Sequence, residues 1–391
     1  MIPISYNVRS LLNRKTTTIA TALGIGLVVF VLGAVLMLGH GLQQTLTASG
    51  RPDNGMVLRK GSDGELSSTI DTQSVGLVLS APGVKKDDKG RPMGVGEVVV
   101  VILLERPGGE GKLANVTVRG TTEASIAVRP GLHVVEGRPP QPGTDEVMVG
   151  KALLGRFDGL ALGSSFDLKK NRPVKVVGVF EAGGSAYESE VWADIDTVRT
   201  SFGRTSMVSS VVVRLESQSK FDGFAQTVET DKSLGLNAMR ETEYFDKQAG
   251  PMLGFIMGLG ITIAILFAIG SMIGAVITMY GAVAQRSREI GTLRALGFSR
   301  RAILFSFILE SVVLAVMGGL VGVVAALGAS VLIGDVSMTN FSTWSEIVFR
   351  LQATPQILIT AVAIGAIMGL LGGLFPAIRA ARMSPITAMR A

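Results

Sequence analysis

No Asp, Glu, Lys or Arg occurs from Thr16 to Gly50, from Gln248 to Gln285, from Ser311 to Gly334 or from Leu351 to Ile378. These four charge-free runs constrain the chain more than any other feature. A helix needs about 20 apolar residues to cross a bilayer. Hydrocarbon offers backbone N–H and C=O groups no partner, so each run must close its hydrogen bonds internally, as a helix. A domain-sized polar segment separates the first run from the second. The layout predicts an α-helical membrane protein with four transmembrane helices plus a large extracytoplasmic α/β domain between helices 1 and 2.

Composition fits a membrane protein: 47% of residues are hydrophobic and 17% charged. The 49 glycines include many inside the spans, where Gly is better tolerated than in soluble helices. The absence of cysteine excludes disulfides, thiolate metal sites and a Cys nucleophile.

Arg and Lys set the orientation. Arg9, Arg14 and Lys15 precede the first run. Arg286, Arg288, Arg294, Arg300 and Arg301 lie between the second and third, with Glu289 as the one acid among them. Arg379, Arg382 and Arg390 follow the fourth. Short loops rich in Lys and Arg stay in the cytoplasm, so both termini are expected there and the large domain outside. Residues 51–247 hold 25 Lys plus Arg and 27 Asp plus Glu, while the rest carries a net charge of +8. The overall charge of +6 therefore reflects membrane orientation and anionic headgroups, and nucleic acid is not an expected partner. The basic start and apolar run resemble a signal peptide, but the run is too long and lacks a small-residue cleavage site, so it reads as a retained signal anchor.

The expected divisions are a cytoplasmic N-terminus at 1–16, helix 1 at 17–42, a periplasmic domain at 43–250 and helix 2 at 251–282. A cytoplasmic segment at 283–301, helix 3 at 302–333, a short periplasmic loop at 334–353, helix 4 at 354–378 and a cytoplasmic tail at 379–391 complete them. Within the outer domain, β-branched runs predict strands at Met56–Arg59, Glu97–Leu104, Val116–Arg119, Glu146–Val149, Ser165–Leu168, Val174–Phe180 and Val208–Leu215. Helices fit at Thr72–Ser80, Lys151–Phe157, Asp194–Phe202 and Lys220–Thr230. The pattern suggests an α/β subdomain (43–120 and 206–250) with a β-rich insert (121–205). The first two charge-free runs, about 35 and 38 residues, exceed what a bilayer requires and could extend outward as a stalk that transmits motion; alternatively, part of each is uncharged loop. Small-xxx-small pairs (Gly254/Gly258, Gly270/Gly274, Gly318/Gly322, Gly365/Gly369, Gly369/Gly373) permit close helix approach, though a glycine-rich membrane chain also produces them by chance.

Enzyme chemistry is not visible. His40 and His133 lie on different segments and cannot build an H-E-x-x-H site. The run Gly108-Gly109-Glu110-Gly111-Lys112-Leu113 lacks the spacing and the Ser or Thr of a phosphate loop, and reads as an exposed turn. Glu310 enters the third span. An ionisable residue there is a functional candidate, with snorkelling to the interface as the plainer alternative. The segment from Gln285 to Arg301 is a short basic amphipathic helix in which Ile290, Leu293 and Leu296 recur at helical spacing and Gly297 ends the helix; it could lie on anionic lipid.

The run Arg288-Glu289-Ile290-Gly291-Thr292-Leu293-Arg294-Ala295-Leu296-Gly297 resembles the signature after the second span in permeases of the MacB/FtsX/LolC-LolE (type VII ABC, mechanotransmission) superfamily. The topology is similar too, as is the tail from Pro376 to Arg390, with its Ala380-Ala381, Pro385 and Ala388-Met389-Arg390. Glu136-Gly137-Arg138-Pro139-Pro140 and Val174–Phe180 look like the family's outer domain.

The resemblance implies a dimer of permease subunits, a second copy or a paralogue, each paired with a cytoplasmic ABC ATPase. Arg288, Glu289, Gly291, Leu293, Arg294, Ala295 and Gly297 would be the ATPase-coupling residues. ATP and magnesium would bind the partner, with no cofactor held directly. Porter-like (43–120, 206–250) and Sabre-like (121–205) subdomains would form the outer part. Only about 16 residues precede the first span, so the ATPase is expected as a separate subunit and this chain as a non-enzyme in the bacterial inner membrane. The expected function is efflux of periplasmic substrate or lipoprotein release, with a periplasmic adaptor or lipoprotein carrier as a further partner. The alternative is an FtsX-like regulator activating an extracytoplasmic cell-wall hydrolase without cargo. A secondary transporter is disfavoured by the scarcity of charge within the spans and by a span count of four.

Overall fold

The computed structural model describes residues 15–108, 111–231 and 233–384 of the 391-residue chain. In chain order its helices are α1 (Lys15–Ser49), α2 (Thr72–Leu79), α3 (Glu123–Ala127), α4 (Ile195–Phe202), α5 (Phe221–Thr230), α6 (Glu241–Gln285), α7 (Ser287–Ala295), α8 (Arg300–Ile333) and α9 (Pro355–Arg382). The strands are β1 (Asn54–Arg59), β2 (Ile70–Asp71), β3 (Gly94–Glu105), β4 (Leu113–Thr121), β5 (His133–Gly137), β6 (Glu146–Gly150), β7 (Ser165–Lys169), β8 (Arg172–Glu181), β9 (Glu190–Asp194), β10 (Met207–Val208), β11 (Ser210–Arg214), β12 (Leu236–Arg240), β13 (Asp335–Thr339) and β14 (Glu346–Arg350). The basic residues Arg9, Arg14 and Arg390, the tail from Pro385 onward, and Gly109 and Glu110 of the 108–113 turn lie outside the described residues.

Among the described residues, four helices are long and apolar enough to cross a membrane: α1, α6, α8 and α9. The helical unit gathers their apolar segments with α7. Ser299 caps α8, its hydroxyl accepting from the Ala302 N–H, and Thr354 does the same for α9 through the Ile357 N–H, with Pro355 at the first helical position. Glycines set the helix spacing. Gly318 and Gly322 of α8 lie against the backbone carbonyls of Ala22 and Gly26 of α1, so tightly that a Cβ at either position would overlap them. Gly369 of α9 is equally close to Ala315 of α8. These small-residue pairs are used within the chain. Gly254, Gly258, Gly270 and Gly274 of α6 have open space around them. The Thr21 and Thr278 hydroxyls, from α1 and α6, hydrogen-bond at 2.9 Å.

The second unit comprises Gly41–Leu253 and Asp335–Arg350. Its frame, among the described residues, is a ten-stranded mixed sheet in the order β12-β1-β11-β3-β4-β9-β6-β8-β5, with β7 paired to β8. The long strand β3 joins its two parts: Gly94–Glu97 pair with β11, and Val98–Glu105 pair with β4. Strand β4 then runs parallel to β9. One core joins both parts, from Val57, Val211 and Val213 to Val147, Val176 and Val191. Val198 of α4 and Phe221, Phe224 and Val228 of α5 are buried in it. Asp71 and Asp194 cap α2 and α4 through side-chain carboxylates, and Gly203, with φ +69°, closes α4.

Several expectations change. Helix 1, expected at 17–42, runs Lys15–Ser49, and helix 2, expected at 251–282, runs Glu241–Gln285. The Lys151–Phe157 helix shrinks to one 3₁₀ turn, Lys151–Leu153, because Leu154 is extended and Gly155 takes φ +73°. The segment at 334–353, expected as a short loop, holds the β13–β14 hairpin, registered Asp335↔Arg350 to Thr339↔Glu346, with Ile347, Val348 and Phe349 buried. Charges at both ends of that pairing disguised it. Strands β9 and β12 were not anticipated; β9 is buried along its whole length and so shows no polar alternation.

Candidate functional site

Helix α7 fills the connection between α6 and α8. Nine residues make a marginal helix alone, so its ends and attachments hold it. At its N-terminus Arg286 is both the last hydrogen-bonded residue of α6, donating its N–H to the Ala282 carbonyl, and the cap of α7, accepting from the Ile290 N–H. At its C-terminus the Phe298 N–H donates to the Leu293 carbonyl at 3.1 Å and the Gly297 N–H to the Arg294 carbonyl at 3.2 Å. This paired closure needs a left-handed residue, and Gly297 supplies it at φ +94°.

The expected coupling residues divide by exposure. Gly291 is buried, beside Ile290, which is not one of them and packs with Met279, Val283, Ile303, Phe307, Ala377 and Ala380. Leu293 and Arg294 are half-buried, while Arg288, Glu289, Ala295 and Gly297 are exposed. Leu296 departs from the amphipathic pattern: it is 72% exposed, because the helix has ended before it.

Glu310 has a charged partner. It is 3% exposed, on the α8 stripe that includes Ile303, Phe307 and Leu314, and its carboxylate accepts from the Arg286 guanidinium at 3.0 Å. The same guanidinium donates through Nε to Glu289 at 3.1 Å and lies 5.5 Å from the Phe307 ring centre. In the sequence Glu310 stands out as a charge inside a span, whereas Arg286 reads only as one of the charges that set topology.

A second charged centre lies in the α/β unit, where β3 changes partner. Arg119 of β4 spends all five guanidinium donors on carboxylates: two each on Glu65 and Glu190 and one on Glu97, at 2.7–3.0 Å. Arg129 donates twice to Glu97, at 2.7 and 2.9 Å, and lies 4.6 Å from the Tyr187 ring centre. Burial alone would lower the Arg119 pKa, but Glu190 and Glu65 hold it well above its ordinary value. Burial likewise pushes the Glu97 carboxyl up, and Arg129 and Arg119 overcome that and hold it below the ordinary carboxylate range. Glu241, at the first position of α6, accepts from Asn54, the Arg51 N–H and the Tyr187 hydroxyl at 2.9–3.1 Å. The cluster clamps the two parts of the sheet together. Its members were unreadable as a site because they are scattered from residue 65 to residue 241.

Among its described residues the chain thus carries four apolar helices long enough to span a membrane, an α/β domain inserted after the first and a short capped helix after the second. Residues 18–230 match the family model described as MacB-like periplasmic core domain, and residues 261–385 match FtsX-like permease C-terminal. The chain belongs to the MacB/FtsX permease family. Among curated relatives it is 36% identical to a macrolide export ATP-binding/permease protein MacB of Rhodopirellula baltica, over 37% of this chain and 20% of the relative. It is 30% identical to the ABC transporter permease YknZ of Bacillus subtilis, over 56% of this chain and 54% of the relative, and 25% identical to MacB of Brucella melitensis, over 95% and 58%. The chain thus spans at most about three-fifths of the length of these relatives. The periplasmic region of MacB from Actinobacillus actinomycetemcomitans aligns with 54% of this chain and 98% of its own, at 14% identity and a TM-score of 0.36.

Proposed function

We propose that the chain is the membrane subunit of an ABC transporter that converts ATP hydrolysis by a separate cytoplasmic ATPase into movement of its extracytoplasmic domain, driving efflux of a periplasmic substrate or release of a lipoprotein. ATP and magnesium reside on the ATPase. The working unit is a dimer of permease subunits, and a periplasmic adaptor or lipoprotein carrier receives the cargo. The observation that carries this reading is α7: it lies in the segment matching the FtsX-like permease model, buries Ile290 and Gly291, and leaves Arg288, Glu289 and Ala295 outward for a partner. The lengths of α1 and α6 support it. At 1.5 Å per residue their 35 and 45 residues span about 52 and 67 Å, against the ~30 Å of hydrocarbon.

The test is affinity capture of the tagged full chain from its own membranes, with Glu289→Lys and Leu293→Asp as variants. The expected result is an ABC ATPase that co-purifies with the wild type and falls by at least about tenfold in either variant. Equal recovery in the variants, or no ATPase at all, would sink the coupling assignment and leave α7 as a lipid-surface helix. A cell-wall hydrolase captured in place of cargo or adaptor would favour the regulator.

A further inference from the structure

The family resemblance gives α7 a surface and says nothing of how a push on that surface reaches the spans. We infer that Arg286 and Glu310 form a latch fixing the orientation of α7 on α8, with Arg286 as the positioning residue, so that displacement of α7 is delivered to α8 as a rigid movement. This rests on the proposed function, in which the ATPase acts on α7.

Three features of the geometry carry the inference. Arg286 sits at the joint between α6 and α7, hydrogen-bonded by its backbone into both. Its side chain leaves that joint for a third helix: one nitrogen donates to Glu310 of α8, another to Glu289 of α7 itself, and the guanidinium lies beside the Phe307 ring. Both partners are buried, with side-chain exposures of 8% and 4%. The packing around Ile290 is apolar. Apolar contacts are non-directional and tolerate rolling or sliding of a short helix. A charge-assisted bond in a low-dielectric setting is directional, and breaking one side of it leaves an uncompensated charge. The pair therefore supplies the angular constraint that apolar packing does not. It also accounts for a carboxylate on the buried face of α8, where an apolar residue would pack more cheaply.

The chain has no cysteine, so spin labels go only where they are placed. Ala295→Cys on α7 and Val324→Cys on α8 are both exposed positions of the helical unit. Pulsed dipolar distances between them are measured on the full chain in nanodiscs, without ATPase. The wild-type background should give a narrow distribution. Glu310→Gln should widen it about twofold or more, because the amide oxygen keeps an acceptor but loses the charge that makes the bond strong. The exchange Arg286→Glu with Glu310→Arg, made together with Glu289→Gln so that two carboxylates do not face each other, should narrow it again. Should Glu310→Gln fail to insert, Arg286→Lys keeps the charge but cannot donate to both carboxylates from separate nitrogens, and it should widen the distribution to a smaller degree. An unchanged width in the single variants, or an exchange variant as broad as Glu310→Gln, overturns the latch. A second arm counts the ATPase captured by Glu310→Gln. Normal capture with loss of the permease's effect on ATP turnover supports the latch as a transmission element. Undisturbed turnover overturns that role. If wild type captures no ATPase, the coupling proposal falls, while the distance measurement still decides whether the latch exists.

Discussion

Arg119 shows how much one side chain can hold. Its guanidinium faces three buried carboxylates, and since Arg129 also holds Glu97, its loss would strand two negative charges in the interior, on Glu65 and Glu190. Arg119→Met should destabilise the outer domain by at least about 3–5 kcal/mol, the scale for breaking a buried pair from one side, and thermal unfolding of the purified chain would measure it. The pH dependence follows from the same chemistry. Glu97 has its folded pKa depressed, so its stabilising contribution is complete above the ordinary carboxylate value and is lost as pH falls through the folded value. Glu146 behaves alike on an exposed edge: the hydrogen bonds from Arg138, aided by the Gln141 N–H, bring its carboxyl from 4.5 down to about 2. Its contribution should fade between those two values, and Glu146→Gln should flatten the acid limb of a stability curve recorded across that window. An unchanged curve would show that solvent screens the pair completely. Of all this the sequence displayed only the residue types. A charge cluster assembled by a sheet from six distant positions leaves no local pattern, whereas Gly297 as a helix end was legible because its cause is local.

At the level of elements, two substitutions separate closure from packing. Gly297→Ala forces a Cβ into the left-handed region and should cost about 1–2 kcal/mol of local stability, seen as faster amide exchange through α7. Gly322→Leu puts bulk where α8 meets the α1 backbone, and should cost about 1–3 kcal/mol by overpacking or force the helices apart; thermal stability in detergent would report it. The spans, α2, α4, α5 and most strands could be read directly, since charge-free length and β-branched alternation are properties of contiguous residues. Strand β9 could not, because burial on both faces removes the alternation. The β13–β14 hairpin was hidden because Asp335, Glu346 and Arg350 gave its segment the look of a polar loop.

For the molecule as a whole, that hairpin ties the segment between α8 and α9 into the α/β unit. The Val348 N–H donates to Ser189 at 2.9 Å, the Thr117 hydroxyl to Ser345 at 2.7 Å and the Asn340 amide to Gln248 at 3.0 Å, with an ion pair between Arg106 and Glu346. Replacing residues 336–349 with a Gly/Ser linker removes three buried apolar side chains, each worth about 1.5–3 kcal/mol. Limited proteolysis of the outer domain in intact membranes should then accelerate severalfold.

The strand order also sets a timetable for synthesis. Strand β1 lies between β11 and β12, so its neighbours leave the ribosome more than 150 residues after it does. At about 5–20 residues per second that is a wait of roughly 8–30 s. Throughout it the first span is already a finished membrane helix, while the strand beside it in sequence has both edges open. Slowed translation should therefore lengthen the exposure of that open strand to proteases on the far side of the membrane.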